Sequence, residues 1–504
     1  MSEFSQVART KPPGVPRWAR GLVAAGVLLA VLGFWERGSG RTKLALERER
    51  LRTAGERTVL RELLPAPVAD ASNAWTAMLP WTNQLHSLTG ALTRASMWIW
   101  AQPGILQRIP VSRAEEGGAP EVAEVRAFLA AQPALVRGVQ DAVLRPEYEP
   151  GMRYTNGFFD LPADAVVGRR GGQLLMAVVA EALARGAADE AAQGLEALLS
   201  LAAHLDRQPL LISGMVGCSL TQLAVPLTAQ VLAVEGVPDA VLERLQRRWS
   251  QLQPAAALER HLEFERALSL DHYRLLVESA ERRRKAGEWP AEAAEIFGVP
   301  EPSVWVREAR RWVQEPLWGV LWADHEVAWS LRRWADRLHV TRTGRHEGWS
   351  TAWHDIAGLD VKAGSIEDVE WPGVQPPSRW DRVRCRFALG GPVLIPESTW
   401  FRSAVRAEVA ARLGEAAVAV RRYTLRHRNP PTSTAALVPE FLPEPLLDPM
   451  DRRPLRLHSR GVGRVPYSVG HDGTDEQGSC AVEGDHPYRT PMDGRDWVFP
   501  AVTD

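Results

Sequence analysis

The chain has 504 residues, of which 45% are hydrophobic and 24% charged, so it is long enough for roughly two to four domains with a sizeable core. Its formal net charge is -1 and it has no long basic run, which argues against nucleic acid as a partner. The composition includes 20 Trp against 6 Tyr and 11 Phe. Large aromatic side chains in helices predict core packing or a groove for a partner. The helical tryptophans in question are Trp305, Trp312, Trp318, Trp322, Trp329 and Trp334.

The first predicted element is a membrane-spanning helix over residues 17–36, which follows a short tail of residues 1–16. Its uninterrupted apolar part, Gly21 to Trp35, is 15 residues long, whereas a bilayer core needs about 20 helical residues. Trp18 and Trp35 are placed to lie at the two interfaces, and the flanking arginines can snorkel to the headgroups. With these additions the stretch spans a membrane.

A cleaved signal peptide is the alternative, because basic residues precede a short apolar run. The end of that run, LGFWERGSGR, has no small-residue cleavage pattern, so we favour an uncleaved signal anchor. Basic residues stand on both sides of the helix, and their distribution alone does not set the orientation.

Residues 41–338 are predicted to form an α-helical body. A charged helix over residues 41–64 continues the membrane segment or follows it, and Pro65 ends it. Asp70 or Ser72 is the predicted N-cap of the next helix. That next helical stretch should reach about Gln102, and another should end near Leu144.

The most regular part of the body follows a Pro- and Gly-rich segment that we interpret as an ordered crossing loop. Three helices are predicted here, the first two joined by the short turn ARGAADE. Small and apolar residues recur on one face of each, which is typical of an antiparallel helical hairpin, much like one tetratricopeptide unit. No second copy recurs at a fixed period, so a solenoid is not predicted.

The rest of the body continues in helices. Two helices are expected on either side of Pro254, and a long helix pair over roughly Pro302 to Leu338. Residues 339–395 are rich in Gly, Pro and Trp and read as a mixed region with one strand-like run, RVRCRFAL. A last long helix opens the C-terminal region, residues 396–504.

No sequence signature of a nucleophile elbow, phosphate loop or zinc site is present. Two pairs of side chains share a helix face at a spacing of four residues: His261 with Glu265, and Glu259 with Glu263. Such groups can hold a metal, but interleaved arginines favour a solvated charged face. His354 and Asp355 are adjacent without a third partner.

The three cysteines have different predicted roles. Cys218 lies in an apolar helical run and is most simply a small buried residue. Cys385 and Cys480 are candidates for a disulfide in an oxidising compartment.

From Leu413 onward the order of motifs resembles the globular part of the major pseudopilin of type II secretion systems. A long helix ends in a Tyr-containing stretch and a Pro, and an ALV turn, a DP segment, a YSVGxDG strand and loop and a closing DGRDWVF follow. The matching residues are Tyr423, Pro430, Leu437, Val438, Asp448, Pro449, Pro454, Tyr467, Ser468, Val469, Gly470, Asp472, Gly473, Asp493, Asp496 and Phe499. The resemblance covers less than a fifth of the chain. It implies a small α+β module.

In that family the loop binds calcium, which takes six to eight oxygen ligands. The resemblance therefore implies a calcium site here, with carboxylates from Asp472, Asp475, Asp493 and Asp496. The alternative is a solvated Asp/Gly turn without an ion. The loop is longer than in the family, and its closing DGRD has one extra residue.

Two departures separate this chain from a pilus subunit. The GFWE tetrapeptide follows the apolar run instead of preceding it, and a long helical region separates the anchor from the pseudopilin-like part. The whole chain resembles large bacterial membrane-anchored proteins that join a helical body to such a tail. Placement outside the cytoplasm is implied, but a reaction is not.

The predicted fold class is therefore mainly α, with an N-terminal transmembrane helix, a helical-hairpin body and a small C-terminal α+β module. We expect a single-pass protein of the bacterial inner membrane, with most of the chain in the periplasm, that binds or scaffolds a protein partner in the envelope. One alternative is a periplasmic hydrolase with an active site within residues 340–395. Another is a helical-repeat binding module.

Overall fold

The computed structural model describes residues 17–87, 122–160, 163–279, 281–282, 317–363, 378–385, 397–460, 463–479 and 495–500. These residues are mainly α-helical, with an apolar helix near the N-terminus and a three-stranded sheet near the C-terminus, as predicted. The chain divides into two compact units. The first comprises Met1–Gly55, Leu276–Leu331 and Ser378–Pro392, and the second comprises Glu56–Leu275, Arg332–Pro377 and Val393–Asp504.

The first unit contains the N-terminal helix α1, Arg17–Thr53, which has no break between its apolar and charged parts. Every side chain from Leu22 to Leu32 is exposed. The predicted helix over residues 41–64 was too long, because Gly55 adopts a φ of +68° and ends the helix with a left-handed turn.

The first unit also contains a π-helical turn, Trp318–Trp322, which leads into α12, and the short helix α14, Arg379–Arg384. The prediction of a strand-like run was wrong for residues 382–384, which belong to α14. A capping box explains the helix, since Ser378 Oγ accepts from Asp381 N and the Asp381 carboxylate accepts from Ser378 N.

The second unit is built around the predicted helical hairpin. Helix α7 is Ala163–Ala184 and α8 is Ala188–Arg207. A side chain at Gly168 would strike Leu205, and one at Gly194 would strike Val179, so the two helices run antiparallel at close range. The third helix of the group, α9, is Leu211–Ala233, and Cys218 is buried in it as predicted.

The remaining elements of this unit extend the helical body. They are α2 Leu60–Leu63, α3 Ala74–Met78, α4 Thr82–Ser87, α5 Val122–Ala131, α6 Pro133–Val143, α10 Asp239–Ser250, α13 Trp349–Ala363 and α15 Glu397–His427. Two more helices belong to both units: α11 Pro254–Glu278 lies in the second unit up to Leu275, and α12 Ala323–Glu347 lies in it from Arg332. The crossing loop before α7 is ordered, with Tyr148 and Tyr154 buried. Asn73, not Asp70 or Ser72, caps α3, because Asn73 Oδ1 accepts a hydrogen bond from Trp75 N at 3.0 Å.

Residues 340–347 and 349–363 are helical, in α12 and α13, so the prediction of a mixed region was wrong for these parts. The tryptophans of this region help to hold these helices against the core, since Trp349 is 1% exposed and packs there. Of the six helical tryptophans named from the sequence, Trp318 and Trp334 are buried and Trp322 and Trp329 partly buried. Trp305 and Trp312 lie outside the described residues.

Helix α15 passes through the core of the second unit. Its Gly414 faces the buried Trp249 of α10. Gln222 of α9 donates to the Ser403 carbonyl oxygen at 3.2 Å, and Arg422 donates to Asp239 at 2.8 Å. Side chains along the length of α15 are therefore tied to two neighbouring helices.

The C-terminal module follows α15. Its antiparallel sheet has the order β1 (Arg456–Arg460), β2 (Gly463–Ser468) and β3 (Trp497–Val498). Backbone bonds fix the module to α13, because Trp349 N donates to Pro449 O and Ser350 N donates to Met450 O.

Candidate metal centre

The loop from Val469 to Ser479 leaves β2 and returns toward β3, which it meets through a backbone bond from Asp496 N to Ser479 O. The first turn requires glycine, since Gly470 has a φ of +67° and a Cβ there would lie 1.8 Å from the Arg495 carbonyl oxygen. Gly478 closes the loop with a φ of +81°. The local sequence therefore fixes a tight, closed loop at the end of the sheet.

Asp448, the acid of the DP segment, is fully buried and holds the start of this loop. Its carboxylate accepts from Ser468 Oγ at 2.7 Å, from Val469 N at 3.0 Å and from Met450 N at 2.9 Å. Burial raises the pKa of Asp448 and these hydrogen bonds oppose the rise. The DP segment thus joins α13 to the loop.

Arg456 on β1 is the cation that neutralises this part of the module. Its guanidinium donates to Asp448 at 3.2 Å, to Asp475 at 3.1 Å and to Asp451. Asp475 also accepts from the Tyr467 hydroxyl at 3.0 Å. One arginine therefore serves three carboxylates.

Asp496 is fully buried beside β3. Its Oδ2 accepts from Gly478 N at 2.7 Å and Ser479 N at 3.1 Å. The pKa of Asp496 rises to about 6 because of burial, and the charges of Glu476 and Asp475 add to the rise against these two hydrogen bonds. Asp475 and Asp496, two of the predicted ligands, therefore lie in one acidic group.

Two carboxylate oxygens of this group are buried and have no hydrogen-bond partner among the described residues: Asp496 Oδ1 and Glu476 Oε2. A buried carboxylate oxygen without a donor is costly unless a cation or water satisfies it. Calcium, a hard cation that accepts oxygen ligands in flexible loops, fits this donor set. Sequence reasoning missed Glu476, although its place between two predicted ligands could have indicated it.

The predicted ligand set is only partly assembled. Asp472 is exposed and accepts from Thr474 N at 3.0 Å, in a turn. Asp493 lies outside the described residues. Among the residues that the structure describes, no group of three or more His, Cys, Asp or Glu side chains has the geometry of a metal site. The calcium site thus remains a prediction for Asp472, Asp475, Asp493 and Asp496, and the described residues do not assemble this set.

The paired groups on α11 are structural. His261 is buried and contacts the Asp206 carbonyl oxygen at 3.1 Å, while Glu265 accepts from Leu211 N at 2.9 Å. The interpretation of Glu259 and Glu263 as a solvated face was wrong, since arginines from other segments cover both carboxylates. The ion pairs are Glu259 with Arg342 and Arg345, and Glu263 with Arg57 and Arg342. His354 and Asp355 are exposed on α13.

A second group of buried titratable side chains lies between α7, α9 and α11, and of its members the sequence singled out only Glu265. Ser213 Oγ donates to Asp164 at 2.7 Å, and burial raises the pKa of Asp164. Burial also raises the pKa of Glu265 to about 7. Asp164 Oδ1 and the Tyr148 hydroxyl are buried without a hydrogen-bond partner among the described residues. These residues come from segments far apart in the chain, so spacing could not reveal the group.

The other two cysteines are only partly described. Cys385 is buried at the end of α14, and Cys480 lies outside the described residues, so their pairing remains a prediction.

Comparison with known proteins adds no family to this description. Neither models of protein families, nor curated proteins, nor solved structures give a significant match to the chain.

Proposed function

We propose that the protein is a membrane-anchored scaffold or binding protein of the bacterial cell envelope, with most of the chain in the periplasm and a C-terminal, pseudopilin-like module that binds calcium. The observation that carries the proposal is the exposure of the apolar part of α1. Among the residues that the structure describes, two helices are long and apolar enough to cross a membrane. Most of the second, Leu211–Ala233, is buried, whereas none of the apolar window in α1 is. A continuous apolar surface of this kind is stable in lipid and unfavourable in water.

The module supports the second half of the proposal. A long helix, a DP segment and a short antiparallel sheet with a closed acidic loop follow one another, in the order that the resemblance implies. Asp496 Oδ1 and Glu476 Oε2, which lack a hydrogen-bond partner in the described part of the chain, favour a cation in that loop. A partner in the envelope, such as secretion machinery, is consistent with this architecture.

A melting experiment on the full chain in detergent tests calcium. A ligand that binds only the folded state stabilises it by about 2.7 kcal/mol at one hundred times its Kd. We therefore expect a higher melting temperature in calcium than in chelator, and no such difference for Asp496→Asn or Glu476→Gln. Glu440→Gln is the matched control, since Glu440 is in the same module but pairs with Arg426 outside the loop. Equal melting of the unmodified protein in both buffers would rule the calcium site out.

Orientation is tested separately, by fusing reporters to the C-terminus. The proposal requires activity of a reporter that works only in the periplasm. Activity of a cytoplasmic reporter alone would place the body on the other side of the membrane, whatever the calcium result.

A further inference from the structure

In the first unit, a second helix, which the structure describes from Leu317 through the π-helical turn into α12, lies against the membrane end of α1. Gly33 of α1 lies 3.6 Å from Leu321, measured from the position a Cβ would occupy. Further along α1, Gly40 lies against His325 in the same way. The second helix thus runs roughly in the direction of α1. Leu317, four residues before Leu321, therefore lies about 6 Å further toward the apolar stretch, at 1.5 Å per residue.

The side chains at this end of the second helix point in two directions. Trp318 is buried, and its indole Nε1 donates to Glu326. Leu317 and Val320 are exposed, to 39% and 56%. Both lie within the π-helical turn or next to it, and such turns often mark functional sites. An apolar, exposed face thus stands beside an apolar, exposed stretch of α1.

Helix α14 adds an aromatic side chain at the same end of α1. Arg384 forms an ion pair with Glu36, and its guanidinium carbon lies 5.7 Å from the centre of the Trp380 ring. Trp380 is 62% exposed. Trp35, next to Glu36, is exposed as well. Exposed tryptophans close to a charged residue at the end of an apolar helix are typical of the lipid headgroup region.

The charged contacts fix this arrangement in place. His325 Nε2 lies 2.9 Å from the Glu36 carbonyl oxygen. Burial lowers the pKa of His325. Nε2 is the donor in this contact, because a carbonyl oxygen can only accept. Three segments that are distant in sequence therefore meet around one turn of α1.

We propose that Leu317, Val320 and Trp380 form a second lipid-contacting surface, continuous with the exposed face of α1 at Phe34 and Trp35, so that the first unit sits in the headgroup layer of a phospholipid bilayer. This inference rests on the membrane anchor of the proposed function and extends it. The anchor alone would only tether the unit to the membrane, whereas this surface would hold it against the bilayer at a fixed depth.

Site-directed spin labels on the full chain in phosphatidylcholine nanodiscs test the depth. Single cysteines replace Val320 or Trp380 in a background in which all three native cysteines are alanine. Leu28→Cys, in the apolar stretch of α1, is the lipid control. Leu46→Cys, exposed on α1 about 15 Å beyond Glu36, is the water control. The readout is the ratio of collision rates with oxygen, which partitions into lipid, and with a polar nickel complex.

We expect labels at residues 320 and 380 to show a ratio several-fold above that at residue 46 and approaching that at residue 28. Water-like ratios at 320 and 380 with a lipid-like ratio at 28 would overturn the inference and leave the anchor intact. A water-like ratio at 28 would overturn the anchor itself. Protection of residues 320 and 380 from both reagents would indicate a protein contact, for example a second copy of the chain, and would also overturn the inference.

Discussion

Asp206, near the end of α8, should make the stability of the second unit depend on pH. The residue is 4% exposed, and neither carboxylate oxygen has a hydrogen-bond partner among the described residues. Burial is the largest cause that raises its pKa, to about 8, and the charge of Glu408 adds to the rise, while Arg260 and Arg207 oppose it. In the unfolded chain an aspartate has a pKa of about 3.9.

The sign of the effect follows from these two values. Between pH 4 and pH 8 the unfolded state releases a proton that the folded state keeps, so the free energy of unfolding falls as the pH rises. The stabilisation is complete below about pH 4 and is lost above about pH 8. At pH 7, which is about three units above the pKa of the unfolded state, the loss of stability is about 4 kcal/mol, at 1.36 kcal/mol per unit. Asp206→Asn removes the titrating group and therefore this loss.

Urea denaturation of the full chain in detergent at pH 5, 7 and 9 measures this pH-dependent loss of stability. We expect the midpoint of Asp206→Asn to exceed that of the unmodified protein by a margin that grows from pH 5 to pH 9. Asp141→Asn is the matched control, because Asp141 is exposed on α6 and should show no such trend. A margin that stays constant between pH 5 and pH 9 would refute the assignment of a protonated, buried Asp206.

Four further substitutions test the packing and the loop. Gly470→Ala should destabilise the module by more than about 1 kcal/mol and abolish any calcium-dependent melting shift, because the new Cβ meets the Arg495 carbonyl oxygen in a left-handed turn. Gly55→Ala, at a similar φ but with no atom within 4 Å of the new Cβ, should cost only about 1 kcal/mol, and equal losses for the two would contradict the geometry. Leu198→Ala, fully buried in α8, should cost about 2–5 kcal/mol in urea unfolding, and a loss below 1 kcal/mol would place it outside the core. Arg456→Met leaves three aspartates without their cation and should cost about 3–5 kcal/mol at neutral pH, with less loss near pH 3, where the carboxylates are protonated. An identical loss at both pH values would argue against the ion pairs.

Local signals predicted the helical hairpin well. The turn between α7 and α8 contains Gly186 at a φ of +73°, and Pro254 stands at the first position of α11, so both boundaries follow from backbone preferences that act within a few residues. Ser378 shows the limit of such reasoning. Its capping box starts a helix in a segment whose alternating apolar residues predicted a strand, because the hydrogen bonds of the cap outweigh a weak strand pattern.

The candidate site divides in the same way. The Asp and Gly residues of the loop are visible in the sequence, and Gly470 is required by the turn itself. Asp448 is among the residues that carry the resemblance, and Arg456 stands eight residues after it. Residue spacing cannot show which carboxylate oxygens have hydrogen-bond partners. Asp496, for example, accepts from Gly478 N and Ser479 N, which lie beside it only because the chain folds back.

The sequence by itself predicted a mainly helical chain with an apolar N-terminal membrane helix and an apolar helical run around Cys218, because helix periodicity and hydropathy depend only on neighbouring residues. Only the tertiary structure decided what surrounds each of them. Leu211–Ala233 is packed against α7, α8 and α15, while the apolar side chains of α1 from Leu22 to Leu32 are exposed. The tertiary structure also decided the ion pairing. Glu259 and Glu263 look solvated in the sequence, but in the fold both form ion pairs with Arg342 of a distant helix. Burial and ion pairing depend on residues far apart in the chain, and so they are properties of the fold and not of any one segment.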